Sequence, residues 1–107
     1  MEGIKEYPQP AGTVLNAIND IIEIQNARVT FSDIPAGKIN FIIKLYSNQW
    51  EHQLTVTGIN ETRSNVKIAI IKGTRSGENQ LRREFALLDS ILAEEQQYQV
   101  VNKETEL

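Results

Sequence analysis

No cysteine occurs in this chain, which excludes a disulfide framework, a thiolate nucleophile and a cysteine-built metal site, and leaves the redox compartment open. Histidine is nearly as scarce. With His52 alone, a zinc or iron site would need carboxylates for most of its ligands, and no clustered spacing of Asp and Glu supplies them. No metal or cofactor is therefore expected. Long apolar runs are also missing, since no segment approaches the roughly 20 apolar residues that span a bilayer. The first residues, Met1 to Gln9, lack the apolar stretch and small-residue cleavage pattern of a secretory signal. A cytoplasmic location is the resulting expectation, although a processed exported protein would look the same. Neither charge dominates: 11 basic against 14 acidic residues give a formal charge of -3, which favours solubility and disfavours general nucleic-acid or anionic-membrane binding.

What is present is pattern. At 107 residues the chain suits one domain over 1–107, with no repeat or long linker. Pro8 and Pro10 make the first segment extended or turn-like. Thr13 is placed to cap a helix whose apolar stripe is Val14, Leu15, Ala17, Ile18, Ile21 and Ile22, ending near Gln25 and Asn26. Four alternating stretches follow. Their inward sets read Val29 and Phe31; Ile39, Phe41, Ile43 and Leu45; Trp50, His52, Leu54 and Val56; and Val66, Ile68 and Ile70. The turn Asp33 to Lys38 carries Pro35 to preset one torsion and Gly37 to allow positive φ, and the polar run Gly58 to Asn65 reads as another bend. A second helix is expected from about Glu78 to Gln97, on the stripe Leu81, Phe85, Leu88 and Leu92. Residues 98–107 would form a flexible tail or a short edge strand.

The fold class that results is α+β in the order α-β-β-β-β-α, a four-stranded antiparallel meander with both helices packed on one face. The opposite face is the main candidate for function. Thr30, Asn40, Gln53 and Thr55, interrupted by Ile42, Tyr46 and Ile71, combine hydrogen-bonding groups with apolar contacts, as an association surface requires. Ordinary solvent exposure is the plainer reading of the same face. A second site is the segment Lys72 to Gly77, where Lys72 and Arg75, with Arg82 and Arg83 in the next helix, would hold an anion. It lacks the Gly-Lys-Ser or Gly-Lys-Thr ending of a phosphate loop, and Glu78 can instead pair with Arg82.

A sheet curled around a long terminal helix resembles helix-grip and TATA-binding-like folds, and that resemblance implies a ligand cavity lined by Phe41 and Trp50 with His52 near its mouth. No motif transfers functional residues, and packed core is the plainer role for all three. No catalytic residue is nominated: Glu51 points away from His52, and Ser76 has no nucleophile-elbow pattern. The expected function is thus a non-enzymatic protein-interaction or accessory domain, whose partner is a second copy or another protein. A small anionic or apolar ligand is the alternative, and an enzyme using His52 is the third.

Overall fold

A computed structural model describes residues 1–106, with side chains through 94. It contains β1 (Glu2–Tyr7), α1 (Ala11–Ile24), β2 (Arg28–Asp33), β3 (Lys38–Leu45), β4 (Asn48–Asn60), β5 (Arg63–Gly73) and α2 (Glu78–Glu106). The α+β class and the antiparallel meander are as expected, with one strand added. The strands lie in the order β1-β5-β4-β3-β2, so the extended amino end pairs antiparallel with β5, from Glu2 opposite Ala69 to Tyr7 opposite Ser64. Residues 98–106 continue α2 and form no edge strand, while Leu107 lies outside the described residues.

Both helices cover one sheet face. Val14, Ala17, Ile18, Ile21 and Ile22 bury the α1 stripe, and Leu81, Leu88 and Leu92 of α2 join the same core. Pro10, rather than Thr13, occupies the N-cap, because proline's missing N–H costs nothing where the backbone donors have no partner. The helix ends where Asn26 turns to φ 53 and the Ala27 N–H donates to the Ile22 carbonyl at 2.9 Å, a left-handed C-terminal closure. Beneath the helices lie Ile39, Phe41, Leu54, Val56, Val66 and Ile68, the inward set of the central strands.

Three local features differ from the expected outline. A bulge between Val29 and Phe31 inserts Thr30, so Val29 lies opposite buried Phe41 while Phe31 lies opposite Asn40 on the outer face. The expected inward pairing of Val29 with Phe31 is therefore corrected: one extra residue reverses the phase of everything after it. The strands β4 and β5 also run much further than expected, closing through Glu61 and Thr62 alone, where the Asn60 Oδ1 accepts the Thr62 N–H at 2.9 Å. At the β3–β4 turn, Tyr46 is not on the sheet at all. It has φ 59 and is 97% exposed.

A bulky residue in the left-handed region is strained, and Tyr46 gains no burial in exchange. Tyr46→Gly is expected to raise unfolding stability by about 1 kcal/mol, since glycine adopts this φ without steric cost. Urea titration of the two proteins measures it, and an unchanged or lowered midpoint would contradict the strain.

Candidate functional site

The outer sheet face is built from cross-strand rows, because residues directly opposite one another in an antiparallel ladder point the same way. One row runs Phe31, Asn40, Gln53, Ala69 and Glu2; the next runs Asp33, Lys38, Thr55, Lys67 and Ile4; a third contains Arg28, Ile42, Glu51 and Lys72. No helix covers these rows. Ile4, Lys38, Gln53, Thr55, Thr57, Asn65, Lys67 and Ala69 line an open groove of about 470 Å³. In its central row Lys38 and Lys67 flank Thr55. The Lys67 Nζ reaches the Glu2 carboxylate at 3.1 Å, whereas Lys38 has no ion-pair partner among the described residues. The Asn40 Oδ1 beneath this face is buried and has no hydrogen-bond partner among the described residues.

Of the residues expected on this face, Asn40, Ile42, Gln53 and Thr55 do share it. Thr30 is the bulge residue of β2, and Ile71, 47% exposed, is the unpaired residue of a second bulge in β5. Tyr46 is the correction, displaced to the turn tip. Sequence reasoning missed Phe31 and Ile4, 49% and 68% exposed. Ile4 carried no signal, because β1 is a strand only through its pairing with β5, and Phe31 carried none because a bulge is set by pairing.

The four basic residues expected to hold an anion are exposed. Lys72 lies opposite Glu51 in the β4–β5 ladder, and the Arg82 guanidinium donates to Glu78 at 2.8 Å, so these two have acidic neighbours, as Lys67 has Glu2 and Lys38 has Asp33 across the ladder. The Thr74 N–H donates to the Gln49 carbonyl at 3.0 Å and the Thr74 Oγ1 accepts the Gln49 N–H at 3.0 Å, which anchors this loop to the start of β4.

Phe41, Trp50 and His52 are packed into the interior, and the groove described above is lined by other side chains. The His52 ring stacks on Phe41 with centroids 4.7 Å apart. Its Nδ1 lies 3.3 Å from the Phe41 carbonyl; since a carbonyl only accepts, Nδ1 carries the proton and the Nε2 lone pair receives the Gln80 amide at 3.1 Å. That amide also donates to Glu84 at 3.2 Å, and Gln25 from the end of α1 donates to the other Glu84 oxygen at 2.6 Å. A polar chain thus joins both helices to the sheet inside the core. Burial drives the His52 pKa down to about 4, against opposing hydrogen bonds to the Phe41 and Trp50 backbone. Burial also drives Glu84 up to about 7, against the Gln25 hydrogen bond and the Arg83 charge. Glu84 was legible as an anomaly, lying three residues after Leu81 and four before Leu88 on the apolar stripe.

The remaining polar links serve the fold. The Tyr7 hydroxyl donates to Asp89 at 2.6 Å and Lys5 pairs with the same carboxylate at 2.7 Å, fastening β1 to α2. Desolvation, helped by the Asp89 hydrogen bond and charge, pushes the Tyr7 phenol far above its ordinary pKa. Among the described residues no cluster of His, Asp and Glu could hold a metal ion, and no helix is long and apolar enough to cross a membrane.

No family model matches the chain, and no curated protein matches it. The α+β fold is shared with a chain from the adenylate sensor of AMP-activated protein kinase, crystallised with 5-aminoimidazole-4-carboxamide 1-β-D-ribofuranotide: the TM-score is 0.62 at 12% identity, covering 82% of this chain and 93% of that one. A second similarity, to the di-domain ARO/CYC StfQ from the steffimycin biosynthetic pathway, has a TM-score of 0.46 at 8% identity and covers 86% of this chain but 43% of that one. At such identities the first likeness establishes the fold alone.

Proposed function

We propose that the protein is an interaction domain whose outer sheet face takes an acidic segment of a partner protein. The observation that carries this reading is the open groove in which Lys38 and Lys67 flank Thr55. Two ammonium groups, with Gln53, Thr57 and Asn65 around them, supply the donors that carboxylates need, while Ile4 and Ala69 add apolar contact area. Basic residues at Arg28, Lys38, Lys44, Lys67 and Lys72 slightly outnumber the acidic Glu2, Glu6, Asp33 and Glu51 on this face, in a chain whose formal charge is -3. The face is thus locally complementary to an acid although the whole chain is not.

Titration of a short glutamate-rich peptide into isotopically labelled protein tests the reading. Saturable shifts confined to the groove residues and abolished by the double substitution Lys38→Glu and Lys67→Glu are expected. Absence of any saturable shift at low salt, or shifts unaffected by the substitutions, would sink it. Ile42→Glu, one row away, should leave the fold intact, because Ile42 lies outside the covered core.

A further inference from the structure

We infer that the free edge of β2 pairs antiparallel with the β2 of a second copy of this chain, joining two five-stranded sheets across a two-fold axis. The argument begins with the difference between the two sheet edges. β1 carries Glu2, Lys5 and Glu6, held by Lys67, Asp89 and Arg63 respectively, and charges along an edge discourage strand addition. β2, by contrast, is exposed at all six positions. Its interior, Val29 to Ser32, is uncharged and β-prone, with Val29 and Phe31 46% and 49% exposed. Its only charges stand at its ends, Arg28 and Asp33, and neither has an ion-pair partner among the described residues.

Register makes those ends complementary. Two β2 strands paired about a two-fold axis, with Arg28 opposite the partner's Asp33, also place Val29 opposite Ser32 and centre the pair between Thr30 and Phe31. Directly opposed residues must share a sheet face. In an unbroken strand residues five apart point to opposite faces, which forbids this register. The bulge at Thr30 removes the obstacle: Arg28 lies across from Ile42 and Asp33 across from Lys38, both on the outer face, while Val29 and Ser32 both lie on the helix-bearing face, across from Phe41 and Ile39. The irregularity that reverses the strand's phase therefore makes its charge pattern self-complementary. Such an isologous contact closes as a dimer and supplies main-chain hydrogen bonds to both edges.

Sedimentation equilibrium of the full chain over micromolar concentrations, with circular dichroism to confirm folding, tests the proposal. The native protein is expected to show a reversible monomer–dimer equilibrium. Arg28→Asp alone and Asp33→Arg alone each place like charges opposite one another twice, so each should weaken dimerisation about tenfold or more. An equimolar mixture of these two variants should form a heterodimer, and the double variant R28D/D33R should dimerise like the native chain. A strict monomer, a dimer indifferent to either single change, or two variants that stay apart when mixed would each overturn it. Lys67→Glu, on β5 with β4 and β3 between it and β2, serves as the control that separates this edge from the groove, since dimerisation should survive it.

Discussion

Glu84→Gln is expected to stabilise the protein by about 2 kcal/mol at pH 8 and to change its stability little at pH 5. The carboxyl is fully buried on α2, and its pKa rises from 4.5 to about 7 on folding. A group raised in this way contributes stability that is fully present below pH 4.5 and is lost as pH rises through about 7. The loss amounts to about 3 kcal/mol once both states are ionised, and roughly 1 kcal/mol of hydrogen bonding is forfeited by the amide. His52 runs the other way: its pKa falls from 6.5 to about 4 on folding, so its contribution is present above pH 6.5 and is lost as pH falls through about 4. In the native protein the two slopes oppose one another between pH 4.5 and 6.5. Removing the carboxyl should expose the His52 slope, with stability climbing by about 3 kcal/mol from pH 4 to pH 6.5 and then levelling. Urea unfolding across this range measures it. A variant less stable than the native protein at pH 8 would show that the Gln25 and Gln80 hydrogen bonds outweigh the desolvation of the charge.

Gly37→Ala should be among the most damaging single changes, costing about 3 kcal/mol or more. Gly37 sits at φ 71, and a Cβ there would lie 2.2 Å from the Val56 carbonyl oxygen. The obstacle is backbone in a central strand, so a side-chain rotation cannot relieve it. The glycine is also held in place, since the Val56 N–H donates to its carbonyl at 2.7 Å and its own N–H donates to Ile34 at 2.9 Å. A drop in melting temperature of about 10 °C or more is the expected result for a domain of this size. The contrast with Tyr46→Gly is instructive. Both residues occupy left-handed turns of the same meander, but one turn already has the residue its geometry favours and the other does not.

Much of this architecture could be read from local pattern. Alternation identified the inward residues of β3, β4 and β5, and the helical stripes located α1 and most of α2, because burial against one layer imposes periods of two and 3.6. Pro35 and Gly37 marked their turn for equally local reasons. Legibility failed where pairing intervened. β1 is short, with Pro8 immediately after it, and its identity as a strand depends on β5, more than 50 residues away. Phe31 faced the wrong way on paper because the bulge depends on how β2 meets β3. The candidate groove was partly visible: Gln53 and Thr55 followed the strand period, whereas Ile4 could join them only once β1 had docked.

Sequence alone thus determined most of the side chains that leave water and roughly where helices and strands lie, with Val29, Phe31 and Leu45 the inward-reading residues that stay exposed, since both follow from the spacing of apolar residues along the chain. Tertiary structure decided the rest. It placed Glu84 against Gln25 and Gln80, and it set Lys38 and Lys67 on either side of Thr55. It also turned Arg28 and Asp33 of a bulged edge strand to the same face. Each of these depends on strand register and helix docking, which are fixed by contacts between distant segments and leave no periodic trace in the order of residues.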